Sequence, residues 1–160
     1  MNLRAIGCNV ATAPVELREK LAFDEAKLHA ALAELTARYG VEAAILGTCN
    51  RVELYLGCPE VGAPVHAPVV AEFLAETHNL PAELVQHHLY EHADAEAVRH
   101  LFRVAAGLDS VVLGEDQIAA QVKEAFAAAH RCEAAGPLLN ALFPAALHVS
   151  KRVRSETGLA

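Results

Sequence analysis

Four consecutive residues, Thr48-Cys49-Asn50-Arg51, set a thiol beside a hydroxyl, an amide and a guanidinium. A thiolate is a strong nucleophile, and neighbouring cations and hydrogen-bond donors favour it, so the chemistry open to this run is nucleophilic attack with a covalent intermediate. A lone cysteine at a strand end is more often a small buried hydrophobe, so the four residues alone leave both readings standing. Arg51 suits a bidentate grip on a carboxylate, or is a solvated surface arginine. His100 is a base or a carbonyl-polarising donor, or a helix-face histidine beside Leu101. On an alternating strand, Arg51 and Glu53 share one face with Cys49, which permits a joint site. Ser110, Glu115, Asp116, Gln117 and Gln121 lie in or after a loop around Gly114, where acidic residues either line a pocket or cap the next helix.

Nine histidines raise a metal reading through His88, His92, His130 and Cys132. No Cys-x-x-Cys or His-Glu-x-x-His spacing organises them, so no metal site is expected. No two glycines form Gly-x-Gly, which leaves the chain without a dinucleotide or phosphate-cradling turn.

The elements that must position these residues follow from pattern. At 160 residues and 54% hydrophobic, the chain suits one folded domain. Its apolar runs are too short for a membrane span, its N-terminus reads as a strand rather than a signal peptide, and its four scattered cysteines suit free thiols in the cytoplasm. A net charge of -7 disfavours non-specific coating of nucleic acid, and leaves Arg18 with Lys20, and Lys151, Arg152 and Arg154, as local basic groups for an RNA partner.

Leu3 to Val10 reads as a strand running into a loop through Ala13-Pro14 and Glu16 to Lys20. Asp24 caps a helix bearing Leu28, Leu32 and Leu35, and Gly40 follows its end. Strands are expected at Glu42 to Thr48 and Val52 to Gly57, which puts Cys49 at a strand end or tight connection. Val69, Val70, Phe73 and Leu74 mark a helix, residues 81 to 84 a short one, and His88 to Glu91 a last strand. Helical faces follow at Val98, Leu101, Phe102 and Ala105, at Ile118, Val122 and Phe126, and from Leu138 to Val153, with Pro144 kinking the last or starting another. This order predicts an α+β, ferredoxin-like fold: a mainly antiparallel sheet covered by helices on one face, then a C-terminal helical segment.

Five segments then align in order and spacing: Gly7-x-Asn9-x-x-Thr12-Ala13-Pro14-Val15-x-x-Arg18-Glu19; Thr48-Cys49-Asn50-Arg51-x-Glu53-x-Tyr55; His100 to Ser110 with Val112 to Glu115; Gln117-Ile118-x-x-Gln121-Val122-Lys123; and Lys151-Arg152-Val153-Arg154-x-Glu156-Thr157. Together they resemble the glutamyl-tRNA reductase family over nearly the whole chain. The resemblance implies a catalytic domain over residues 1–157, with 158–160 starting a connection to NADPH-binding and dimerisation domains. It implies that Cys49 attacks glutamyl-tRNA to form a thioester, which NADPH reduces to glutamate 1-semialdehyde for tetrapyrrole (haem) biosynthesis. By the same resemblance His100 is needed for activity, Arg51 grips the substrate's carboxylate, and Glu53 pairs with its amino group. Thr48, Asn50, Ser110, Glu115, Asp116, Gln117 and Gln121 complete the substrate pocket. NADPH binds no residue of this chain, the complete protein is a homodimer, and glutamate-1-semialdehyde aminomutase is the downstream partner.

The chain departs from the family pattern at Val10, where histidine is common, at Gly47, where serine is common, and at Asp116, where proline is common. These departures touch rate and fine specificity rather than reaction class. Cys58-Pro59 reads as a turn, or as a regulatory haem site of the kind the pathway's end product would address. A non-enzymatic haem- or partner-binding module is the rival from another class. A sheet-surface RNA binder ranks below it, since 5% aromatic residues offer bases little to stack on.

Overall fold

The computed structural model describes residues 2–62, 64–111 and 117–157. Glu115 and Asp116, expected in the substrate pocket, and residues 158–160, expected to begin a connection, lie outside them.

Four strands, β1 (Leu3–Asn9), β2 (Glu42–Gly47), β3 (Arg51–Gly57) and β4 (Tyr90–Ala93), form one sheet in the order β2-β3-β1-β4. Every pairing is antiparallel, and Gly7 pairs with both Glu53 and Tyr90. With helices between β1 and β2 and between β3 and β4, this is the ferredoxin-like arrangement. On the first side lie α1 (Val15–Lys20), α2 (Glu25–Tyr39), α3 (Ala67–His78) and α4 (Ala82–Gln86). Asp24 Oδ1 accepts from Lys27 N at 2.7 Å and Gly40 closes α2 at φ +62°, as their positions around the apolar repeat predict.

The second side differs from the expectation of a sheet covered on one face. Here α5 (Ala95–Ala105), α6 (Gln117–Arg131) and α7 (Pro137–Thr157) pack on Leu3, Ala5, Ala44, Leu46 and Tyr55, while Ile6, Cys8, Val52, Leu54 and Leu56 face the first side. The alternation of β3 conceals this, because Arg51, Glu53 and Tyr55 look like a solvent face. All seven of its residues are buried, and the polar ones are satisfied by one another. Phe126 stacks on Phe143, and Tyr55 meets Phe143 edge-on, so α6 and α7 seal this side together.

Two further elements depart from the pattern reading, and a third narrows it. Residues 15–20 form α1 rather than a loop, since Pro14 sets an extended N-cap and Leu17 is buried. β4 begins two residues later than expected, with His88 in the turn after α4, bonded through Nδ1 to the Leu84 carbonyl. Pro144 starts no new helix: α7 runs through it, which leaves the kink of the two alternatives. α7 is pinned at its start: the Glu42 carboxylate accepts from the backbone N–H of Gly136, Leu138 and Leu139 at 2.9, 3.1 and 2.9 Å. A carboxylate there satisfies orphan donors and complements the helix dipole.

Candidate active site

The β2–β3 connection is a tight turn closed by Thr48 N donating to the Arg51 carbonyl at 2.8 Å. The Thr48 hydroxyl accepts from the N–H of Asn50 and of Arg51 at 3.1 and 3.2 Å, so its oxygen shapes the loop. Cys49 is thereby held at the tip, exposed. From α1, Arg18 donates Nη1 to the Cys49 carbonyl at 2.5 Å and Nε to the Ala13 carbonyl at 3.2 Å, strapping the tip to the β1–α1 loop. That loop is folded by Asn9, whose Oδ1 accepts from Ala11 N and whose N–H donates to Thr12 Oγ1. The spacing Gly7-x-Asn9-x-x-Thr12-Ala13 and the distant Arg18 thus serve one turn beside the thiol.

Cys49 opens onto a cavity of about 320 Å³ lined also by Asn9, Thr48, Asn50, Arg51, Asp109, Ser110, Gln117 and Gln121. Seven of the expected site residues therefore meet in one place. Arg51 is the only cationic side chain among the described lining residues, and it is 3% exposed. Its Nη2 donates to the Asp109 carbonyl at 2.6 Å and to Asp109 Oδ2 at 3.1 Å, and its Nη1 to Glu53 Oε2 at 3.3 Å.

Glu53 does not reach the cavity. It is 0% exposed and accepts from Tyr55 Oη at 2.8 Å, from Arg51, and from Tyr90 Oη and His100 Nε2. The expected pairing with a substrate amino group is therefore corrected, because this carboxylate is sealed beneath the site with four donors of its own. Gly7 lets β3 lie this close: a Cβ there would stand 2.2 Å from the Val52 carbonyl oxygen, 2.7 Å from Glu53 Cα and 3.0 Å from its Cγ. Burial alone would raise the Glu53 carboxyl, but the His100 hydrogen bond, the His100 and Arg51 charges and the Tyr90 hydroxyl outweigh it and hold the group at about 2. Burial and the Glu53 charge push the Tyr90 and Tyr55 hydroxyls upward, so both remain donors.

His100 also stands apart from the Cys49 cavity. With Tyr90, His92, Glu96, Arg99 and Arg103 it lines a second depression of about 340 Å³, which shares Asn9 and Asp109 with the first. The His92 ring stacks on it with centroids 4.4 Å apart, and burial followed by the His100 charge lowers the His92 imidazole. His100, expected as a base or a carbonyl-polarising donor, has its Nε2 given to Glu53 in this arrangement. Its path to the thiol side runs through Glu53 and Arg51.

Asp109 and Tyr90 carry roles that residue types alone did not signal. Asp109 appears in the sequence as part of a motif, and Tyr90 as an aromatic on a short strand. Their placement depends on the turn after α5 and on the β1–β4 register. The metal candidates disperse: His88 bonds the Leu84 carbonyl, His92 stacks on His100, and His130 meets Phe126 edge-on.

Residues 6–157 match the family model described as glutamyl-tRNAGlu reductase, N-terminal domain. Among curated relatives, glutamyl-tRNA reductase from Marinobacter nauticus is 48% identical over 160 residues, covering 99% of this chain and 36% of its own length. That from Synechococcus sp. is 44% identical, covering 99% of this chain and 37% of its own. The solved glutamyl-tRNA reductase from Methanopyrus kandleri superposes with a TM-score of 0.76 at 32% identity, covering 96% of this chain and 34% of that one. The chain thus spans just over a third of the relatives it matches.

Proposed function

This chain belongs to the glutamyl-tRNA reductase family, in the part that forms its N-terminal domain, and from that premise we propose that Cys49 takes the glutamyl group of glutamyl-tRNA as a thioester. The observation that carries the reading is the exposed thiol at the mouth of a cavity whose one cationic lining residue among those described, Arg51, already holds a carboxylate.

The substrate's side-chain carboxylate is assigned to Arg51, in exchange for Asp109. Ser110, Asn50, Gln117 and Gln121 supply neutral hydrogen-bonding groups around it, which orient without adding charge. The Cys49 sulfur then attacks the ester carbon. The tetrahedral adduct collapses by breaking the bond to the terminal ribose oxygen, which takes up the proton the thiol gave, and the glutamyl thioester remains. His100 and Glu53 act as positioning residues. They fix the Arg51 guanidinium from beneath, so that the carboxylate and the ester carbon are held at once.

Reduction requires NADPH, which supplies a hydride when bound. By the family reading, the hydride step is assigned to a cofactor-binding domain outside the N-terminal one matched here, and the product to glutamate 1-semialdehyde for tetrapyrrole biosynthesis. The same reading gives the aminomutase as downstream partner, a homodimer for the complete protein and the cytoplasm as its compartment. No helix among the described residues is long and apolar enough to cross a membrane. Regulatory haem at Cys58 gains no support, because that thiol is 3% exposed in the first-side core.

Incubation with glutamyl-tRNA without NADPH is expected to leave a glutamyl adduct on the peptide bearing Cys49, read by mass spectrometry, and none on Cys49→Ser. Steady NADPH oxidation by this chain alone would overturn the division of labour.

A further inference from the structure

We infer that the second depression, where Arg99 and Arg103 flank His92 and His100, is a subsite for the phosphodiester backbone at the 3′ end of the RNA ester. This rests on the reading of Cys49 as the group that attacks that ester.

The ester oxygen belongs to the terminal ribose, so the nearest phosphate lies one sugar away from the carbon under attack. With glutamate in the Cys49 cavity, the RNA must leave across its rim, and a chain of net charge -7 needs local cations there. Two cations adjacent to the thiol are already engaged. Arg51 is buried between Glu53 and Asp109, and Arg18 gives its guanidinium to the Cys49 and Ala13 carbonyls. The second depression adjoins the first through Asn9 and Asp109 and supplies what is missing.

Arg99 and Arg103 stand one helical turn apart on α5, on the same stripe as His100 and Glu96. Of the two carboxylates in the depression, Asp109 is answered by Arg51. Glu96 meets Arg99 in a surface pair with side chains 62% and 65% exposed, the kind of contact that yields readily to a phosphate. Arg103 is exposed, donates Nη2 only to the Leu108 carbonyl at 3.4 Å, and forms no ion pair among the described residues. Among the described residues the depression therefore presents one guanidinium without an ion pair and one loosely held one, with the part-exposed His92 ring in the same lining, against which a sugar or base can rest.

The test is binding of a tRNA that carries glutamate through a non-hydrolysable amide at its terminal ribose, titrated against salt. Arg103→Gln is expected to weaken binding roughly three- to tenfold and to take about one from the slope of log K against log salt, and the Arg99→Gln/Arg103→Gln double variant more. Arg103→Lys, which keeps the charge, is expected to keep the slope. Unchanged affinity and slope in the double variant would overturn the subsite, as would failure of the tRNA to bind the unsubstituted chain. A small glutamyl ester without RNA is the reference substrate. If Arg103→Gln slows Cys49 acylation by that ester as much as by the tRNA ester, the residue belongs to the glutamate pocket and the proposal falls. NADPH that competes with the tRNA only when Arg103 is present would give the phosphate to the dinucleotide and overturn the RNA assignment. Arg103-dependent binding without any Cys49 adduct would instead uphold the subsite and sink the nucleophile reading.

Discussion

Cys49 and Glu53 are separated by Asn50 and two strand residues, yet they occupy opposite environments. The first stands in solvent on a loop folded by Thr48 and strapped by Arg18, and the second is sealed under the sheet with four hydrogen-bond donors. The difference teaches how this domain divides labour along one hairpin. The tip carries an exposed thiol outside the packed core, and the floor carries buried charges that are matched by one another. Arg51 joins the two, since it lines the cavity while resting on Glu53.

Substitution at each end tests that division most strongly. Glu53→Gln leaves Arg51 and His100 buried against an uncharged partner, and breaking a buried ion pair this way costs about 3–5 kcal/mol. Urea denaturation is expected to show a loss of that size, together with slower acylation of Cys49. Cys49→Ser is expected to abolish the proposed adduct and to keep the same urea midpoint as the unsubstituted chain. Equal midpoints for both variants would erase the contrast between tip and floor.

Much of this arrangement was legible in the sequence, because local chemistry dictates it. The two strands around Cys49, the Asp24 cap and Gly40 at the end of α2 all follow from residues within a few positions of one another. The covering of both sheet faces was not legible. Arg51, Glu53 and Tyr55 alternate with apolar residues as a solvated face would, and their burial depends on Tyr90 and His100, which are distant in sequence. Gly7 is the one local hint, and it becomes readable only once the register sets it against both Glu53 and Tyr90. The candidate site divides the same way. Cys49, Arg51, Ser110, Gln117 and Gln121 converge as their motifs imply, whereas the separation of His100 into its own depression follows from where α5 crosses the sheet.

Acid sharpens the comparison at a smaller scale. Glu53 is held at about 2, below the ordinary 4.5, so it contributes stability that is complete above about 4.5 and lost as pH falls toward 2. A shift of that size corresponds to roughly 3 kcal/mol. A second acid-sensitive group lies on the other side of the sheet: burial and then Lys27 depress His78 to about 4, and both its ring nitrogens are buried without a hydrogen-bond partner. It stays neutral in the fold, so its contribution is complete above 6.5 and declines as pH falls to about 4. Urea midpoints measured from pH 7 to pH 2 should therefore fall in two windows. Glu53→Gln is expected to flatten the lower one and leave the upper one, while Cys49→Ser keeps both. A lower window that survives Glu53→Gln would mean that other carboxylates carry the acid response.

The gentlest probe is Gly47→Ser, at the position where the family commonly carries serine. A Cβ on Gly47 meets nothing within 4 Å, and its φ lies outside the left-handed region, so the backbone accepts a side chain. Losing glycine's freedom in the unfolded chain favours the fold by about 0.4–1 kcal/mol, against a small cost for ordering one hydroxyl, so the urea midpoint should stay level or rise slightly. The alkylation rate of Cys49 by iodoacetamide reports the tip separately, and a stiffer approach should change it by less than about threefold, a barrier difference below 1 kcal/mol. A midpoint that drops by more than about 1 kcal/mol would show that the tip bears on the packing beneath it. The hairpin would then have to be treated as one cooperative unit from Gly47 to Tyr55, with the thiol's reactivity and the floor's stability no longer separable.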